Sequence, residues 1–201
     1  MKYFLSTCFF VIVIALGGCN CQSGGNCVLA PRCVQCKVPN AITAFPLDPM
    51  LTQFGVHYVY LHGKLVILVP TLILFEPVSD ELKPQAYPIL DVLVKYLQQY
   101  PNANILVAGN ASPIVDKKLF EPGTISLRRA RNVAKYFKSH GILPEYRTLL
   151  YTSYGAKYPI ATNEKNSGLT ANRRIQILVY PRNTLPYAGC KKPPKVIFYH
   201  W

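Results

Sequence analysis

The spacing of apolar residues predicts a β-hairpin near residue 56. Residues 56–61 (VHYVYL) alternate in character, and residues 64–69 (KLVILV) are almost continuously apolar. His62-Gly63 between them is typical of a two-residue turn, since glycine readily adopts the positive φ that such turns need. The apolar segment 71–77 (TLILFEP) is expected to continue the buried strand as far as its proline.

Two later segments have helical spacing. Within residues 79–101 the apolar side chains recur at intervals of three and four, which predicts a helix that ends at Pro101. A second helix is expected from Ser126, as its N-cap, to Gly141, as its C-terminal stop. The predicted apolar positions of the two helices are Ile89, Leu90, Leu93, Tyr96 and Leu97, and then Leu127, Ala130, Val133, Ala134 and Phe137.

Three further apolar runs predict strands, at residues 104–109 (NILVAG), 147–155 (RTLLYTSYG) and 173–181 (RRIQILVYP). The order of elements is then hairpin, helix, strand, helix, strand, strand. That order predicts an α+β fold in which a mixed sheet is covered by two helices. We assign residues 56–181 to this domain.

The N-terminus, MKYFLSTCFFVIVIALGGC, has the layout of a secretory signal over residues 1–18. Its apolar run, residues 3–16, is shorter than the ~20 residues of a membrane-spanning helix. Leu16-Gly17-Gly18-Cys19 resembles a bacterial lipobox, which implies that Cys19 becomes the first mature residue and carries lipid. The alternative is a plain signal or short anchor with an incidental cysteine. Asn20, where an inner-membrane signal has Asp, implies sorting to the outer membrane.

Residues 19–55 are rich in Cys, Gly, Pro and Asn and have no sustained periodicity, so they are expected to form a tether. In an exported chain the cysteines favour disulfides, and their odd number leaves one free or paired with another chain. They are Cys21, Cys27, Cys33, Cys36 and Cys190. Cys33-x-x-Cys36 could be half of a zinc site, but no second pair completes it, and we expect no metal.

The charge is concentrated in the second half of the chain. Residues 1–110 carry six Lys+Arg against five Asp+Glu, whereas residues 111–201 carry sixteen against four. This excess favours anionic partners such as lipid, lipopolysaccharide or cell-wall carboxylates, and an exported chain is not expected to meet nucleic acid. The basic, aromatic tail at residues 182–201 is expected to pack on a partner or on the domain.

Three arginines, Arg128, Arg129 and Arg131, fall in the expected first turn of the second helix. The helix dipole disfavours each cation there by roughly 0.3–1 kcal/mol. The cluster is therefore either a solvated face or a place where an anion binds.

Four stretches together resemble the OmpA-like peptidoglycan-binding domain, which implies that fold for residues from about 70 to 180. They are LFEPVSDELKP (74–84), YLQQYPNANILVAGNAS (96–112), ISLRRARNVAKYFKSHGI (125–142) and SYGAKYPIATNEKNSGLTANRRIQI (153–177). The third is similar to the family pattern LSxxRAxxVxxYLxxxGI, and the fourth to GxGxxxPxxxNxxxxGRxxNRRVEI.

The resemblance also implies a binding site for the diaminopimelate residue of the peptidoglycan stem, whose carboxylate would meet Arg129. An arginine fork matches a carboxylate bidentately. The positions of the family's GHTD motif, whose acid takes the ligand amine, are Gly109, Asn110, Ala111 and Ser112, so the acid is replaced by Ser112. Asp116, in a longer loop, is a candidate replacement for that acid. Arg173 and Arg174 are expected to be structural, and Arg128 and Arg131 to face solvent.

The expected function is that of an outer-membrane lipoprotein facing the periplasm, anchored by lipid at Cys19, which holds peptidoglycan and belongs to a cell-envelope complex. The layout resembles the small OmpA-like lipoproteins of type IVB (Dot/Icm) secretion machines, which implies secretion-complex partners. The alternative is a scaffold subunit that has lost peptidoglycan binding. We expect no enzyme and no cofactor, because common catalytic motifs are missing and the four histidines have no partner at a recognisable spacing: His57, His62, His140 and His200.

Overall fold

The computed structural model describes residues 42, 45–113, 124–142 and 147–184. These ranges contain both helices and strands. In chain order they are α1 (Pro49–Gln53), β1 (His57–Leu61), β2 (Lys64–Pro70), α2 (Thr71–Leu74), α3 (Ala86–Gln98), β3 (Ala103–Asn110), α4 (Thr124–Ser139), β4 (Leu149–Gly155), α5 (Asn166–Asn172) and β5 (Arg174–Pro181).

The strands form one mixed sheet in the order β1-β2-β5-β3-β4. β3 and β4 are parallel, and the other neighbours are antiparallel. Residues of α3 and α4 pack into one core with alternate residues of the strands, from Leu65 to Val179. The predicted α+β architecture is thereby confirmed.

The predicted hairpin is confirmed in detail. Leu61 pairs with Lys64, so His62 and Gly63 form a two-residue turn between β1 and β2. Both turn residues have positive φ, 51° for His62 and 73° for Gly63. Such a turn matches the twist of the strands that it joins.

The segment after β2 differs from the prediction, because it turns into a helix. The N–H group of Thr71 donates to the carbonyl oxygen of Arg173 at 3.0 Å, and the N–H group of Phe75 donates to that of Thr71 at 2.9 Å. The apolar run TLIL fits either state, since a buried strand and a short buried helix have similar composition. The chain continues through an isolated bridge between Phe75 and Leu82.

The start of α4 also corrects a prediction. Ser126 lies inside the helix Thr124–Ser139 and is not its N-cap. Its side chain is buried, and its Oγ lies 2.6 Å from Oγ of Ser153 on β4, so the hydroxyl joins the helix to the sheet. The short helix α5 was not predicted.

The end of the predicted tether packs against the domain. Leu51 of α1 is fully buried in the main core. The backbone N–H group of Phe45 donates to the hydroxyl of Tyr100 at 3.1 Å, and its ring lies 5.3 Å from the ring of Tyr100. Among the residues that the structure describes, none of the helices has the length and apolar character that crossing a bilayer requires.

Candidate functional site

Arg129 holds the loop that follows α2. Its Nε donates to the carbonyl oxygen of Ser79 at 2.7 Å, and its Nη2 donates to those of Glu76 and Pro77 at 2.8 and 2.9 Å. The side chain is 3% exposed, and its guanidinium carbon lies 5.2 Å from the centre of the Phe75 ring. The resemblance implies that Arg129 meets a ligand carboxylate, but its Nε–Nη2 edge is directed at the protein's own backbone.

The charge of Arg129 is costly to bury but is retained at neutral pH. Burial lowers the pKa of Arg129 to about 10; nearby Asp80 opposes this shift, and Arg173 and Arg128 add to it. The three carbonyl oxygens compensate for the lost hydration, since a buried cation is tolerated only when it is hydrogen-bonded.

Other residues of α4 hold the same loop. The amide Nδ2 of Asn132 donates to the carbonyl oxygen of Asp80 at 2.6 Å. The Nε of Arg128 lies 3.2 Å from the carboxylate of Asp80, and the Arg128 side chain is 42% exposed. Arg128 therefore faces solvent, as expected, and also pairs with the 76–80 loop. Arg128 and Arg129 at the start of α4 both contact this loop.

A cleft of about 280 Å³ lies beside Arg129. Arg173 also lines this cleft, is half-buried, and donates from Nη2 to Oγ1 of Thr170 at 3.0 Å. Two guanidinium groups and one exposed carboxylate residue, Glu76, therefore border one cavity. Its lining residues are Thr71, Leu72, Phe75, Glu76, Pro77, Val78, Arg129, Thr170 and Arg173.

The positions of the family's acid motif lie elsewhere, at the end of β3. Asn110, Ala111 and Ser112 are buried, and none of them lines the cleft. The N–H group of Ala111 donates to the carbonyl oxygen of Gly155 at 2.9 Å. Within the described ranges, the Asn110 amide and the Ser112 hydroxyl have no hydrogen-bond partner. The structure therefore does not bring these positions together with Arg129 in one open site.

Gly109 brings this strand end against α4. A Cβ atom at position 109 would lie 1.9 Å from the carbonyl oxygen of Ser126. Only glycine permits such an approach of strand and helix backbones.

In the NRR motif, residues 172–174, Asn172 and Arg174 have structural roles. Such a role was expected for Arg174. The Asn172 carboxamide accepts from the N–H groups of Ile160 and Ala161 at 2.7 and 3.0 Å and donates to the carbonyl oxygen of Ala161. Arg174 is buried and donates to the carbonyl oxygen of Tyr158 at 3.1 Å, and burial lowers the pKa of Arg174 to about 10.

Arg173 differs from its neighbour, because it borders the cleft. The sequence contains no signal for this difference, since the chain changes from helix to strand between Asn172 and Arg174. Asp116, Cys19 and the five candidate disulfide cysteines lie outside the described residues. Within the described ranges no group of three or more His, Cys, Asp or Glu residues could hold a metal ion.

The family model and several similar proteins point to the OmpA family. The OmpA family model matches residues 74–173. The chain is 32% identical to the peptidoglycan-associated lipoprotein of Pseudomonas putida, over 53% of this chain and 61% of that protein. It is 29% identical to outer membrane porin F of Pseudomonas fluorescens, over 57% of this chain and 34% of that protein.

Among solved structures, a MotB-like protein of Desulfovibrio vulgaris superposes with a TM-score of 0.57 and 26% identity, over 65% of this chain and 84% of that chain. The match to the two curated relatives covers less than two thirds of either one's length. The match therefore concerns the domain alone, and the activities of the whole relatives are not assigned to this chain.

Proposed function

Because residues 74–173 form an OmpA family domain, we propose that this chain is a non-enzymatic anchor that binds peptidoglycan and serves as a structural subunit of a cell-envelope complex. One relative is named a peptidoglycan-associated lipoprotein. Membership of this family indicates the class of ligand. The residues of this chain determine the contacts with it.

The observation that supports ligand binding is the cleft between the 76–80 loop and Arg173. The stem peptide of peptidoglycan offers free carboxylates and an amine. Arg173 is half-buried beside this cavity and can donate to a carboxylate, while Glu76 is exposed at its edge and can accept from an amine. Arg129 positions the loop that carries Glu76. Glu76 thus supplies the acid that is missing at Ser112.

Arg173→Gln should weaken sedimentation of the full chain with isolated sacculi by roughly ten- to a hundredfold, the effect of losing one charge-assisted hydrogen bond. Lys135→Gln is the matched control, because Lys135 is exposed on α4 and does not line the cleft. Excess diaminopimelate should compete with the parent chain. Equal sedimentation of Arg173→Gln and the parent would contradict the cleft as the site.

The alternative function is a scaffold that has lost wall binding. Two observations favour it: Ser112 is buried where the family has its acid, and Arg129 is engaged by backbone carbonyls. A parent chain that does not sediment with sacculi would establish this alternative. If Ser112→Asp strengthens sedimentation while Arg173→Gln has no effect, the ligand occupies the family's usual position.

The proposed location is the periplasmic side of the outer membrane, with lipid on Cys19 as the anchor. Cys19→Ser should move the chain from the membrane fraction to the soluble fraction, because the modified thiol is lost. Cys21→Ser, two residues away, should leave the distribution unchanged. Retention of Cys19→Ser in the membrane would overturn the lipid assignment.

Membership of a type IV secretion core complex is the most specific part of the proposal. It rests on the layout of signal, Cys-rich tether and OmpA-like domain along the sequence. Isolation of the intact envelope complex through a tag on this chain would test it, and recovery of the chain without partner proteins would count against it.

A further inference from the structure

The face of the sheet opposite the helices carries a second hydrophobic cluster. Its five buried members are 0–8% exposed, and all of them come from strands: Val66, Leu106, Leu150, Leu178 and Tyr180. No residue of the described helices belongs to this cluster. Burial also raises the pKa of Tyr180 to about 12, as expected for a phenol kept from water.

Four of these residues form one row across the sheet. Val66 pairs with Leu178, Leu178 with Leu106, and Leu106 with Leu150. Side chains alternate between the two faces of a strand, so the row points away from the main core, to which Ile105 and Ile177 belong. Neighbouring strands alone leave the face of a sheet open to water. Side chains buried this deeply therefore require a covering layer.

The chain that leaves β5 passes next to this face. The Nδ2 of Asn104, two residues before Leu106 on β3 and so on the same face, donates to the carbonyl oxygen of Arg182 at 3.1 Å. The N–H and Oγ1 groups of Thr184 both bond to the carbonyl oxygen of Pro181, at 3.1 and 2.8 Å, which closes a turn. The chain after Thr184 thus starts beside the cluster.

The composition of residues 185–201 (LPYAGCKKPPKVIFYHW) suits a cover for an apolar sheet face. Nine of these 17 residues are apolar, and four are aromatic. The segment reaches about 55 Å if extended, whereas five strands span only about 20 Å. By contrast, residues 19–41, which also lie outside the described ranges, have no aromatic residue and five cysteines.

We propose that the C-terminal segment, residues 185–201, covers the outer face of the sheet by packing its aromatic end on the cluster formed by Val66, Leu106, Leu150, Leu178 and Tyr180. The domain is then a three-layer structure, with helices on one face and the chain's own tail on the other. The three lysines of the tail, Lys191, Lys192 and Lys195, can remain hydrated because lysine side chains extend along apolar surfaces to reach water.

Trp201 is the sole tryptophan of the chain, so its fluorescence reports on the tail alone. In the full chain we expect its emission to be blue-shifted and several-fold less accessible to acrylamide than that of the urea-unfolded chain. Leu150→Ser should restore much of that accessibility, because it places a hydroxyl in the row under the tail. Val59→Ser is the matched control, since Val59 is exposed on the edge strand β1.

Three results would overturn the proposal. Quenching of Trp201 in the native parent to the same extent as in urea would show that the tail is solvated. Shielding that disappears on dilution would show that a second copy covers the face. A chain ending at Thr184 that keeps its circular dichroism spectrum and binds no hydrophobic dye would show that another segment, such as residues 19–41, is the cover.

Discussion

Gly109→Ala is expected to lower the free energy of unfolding by about 3 kcal/mol or more, at or above the top of the usual range of about 1–3 kcal/mol for overpacking a core. The added Cβ would lie 1.9 Å from the carbonyl oxygen of Ser126. That atom belongs to the backbone, so no side-chain rotation can relieve the clash, and α4 would have to move away from β3. Urea denaturation followed by circular dichroism measures the loss.

Gly141→Ala provides the control for this prediction. Gly141 has φ +78°, and a Cβ there would have nothing within 4 Å. Its substitution should therefore cost only the left-handed backbone penalty of about 1–2 kcal/mol. A Gly109→Ala loss no larger than that of Gly141→Ala would mean that strand and helix are not in the close contact described.

Arg129→Met is expected to destabilise the domain by about 3–5 kcal/mol, because it removes the donors of three hydrogen bonds to the 76–80 loop. The carbonyl oxygen of Glu76 keeps a bond from the N–H group of Ser79, whereas those of Pro77 and Ser79 lose the Arg129 donor. Methionine matches the length of the side chain but cannot donate. Arg129→Lys should recover part of the loss, since an ammonium group keeps the charge but lacks the planar fork.

Arg129→Met should loosen the 76–80 loop locally as well as lower the stability of the whole domain. Amide exchange and limited proteolysis of the 76–80 loop should accelerate in Arg129→Met. Lys135→Met, on the exposed side of the same helix, should change stability by no more than about 0.5 kcal/mol. Should Arg129→Met unfold at the parent's urea midpoint with the loop still protected, Arg129 would not hold the loop.

This role of Arg129 affects how binding experiments are interpreted. A loss of sacculus binding in an Arg129 variant would follow from displacement of the 76–80 loop as well as from loss of a ligand contact. Arg173 is the better probe, because it lines the same cleft and its Nη2 donates to the hydroxyl of Thr170 and not to the loop. The buried pair Asn110 and Ser112 would be probed separately by Ser112→Asp.

The sequence by itself determined the elements whose signals are local. The His62-Gly63 turn follows from the conformational freedom of glycine, and α3 follows from apolar residues at helical intervals. The α+β arrangement followed from the order of these elements and from motifs that resemble the family. The same local rules placed the start of α4 only to within a turn, because Ser126 had two possible roles: cap or buried link to Ser153.

The tertiary structure alone decided which groups Arg129 and Arg173 meet. The acceptors of Arg129 lie 50–53 residues away along the chain, and no periodicity encodes which loop packs on a helix. The same holds for TLIL, because the N–H and hydroxyl groups of Thr71 at the start of helix α2 donate to the carbonyl oxygen of Arg173, about a hundred residues away. A charged group's role depends on its distance to other charges and dipoles and on its burial, and both arise only when the distant segments come together.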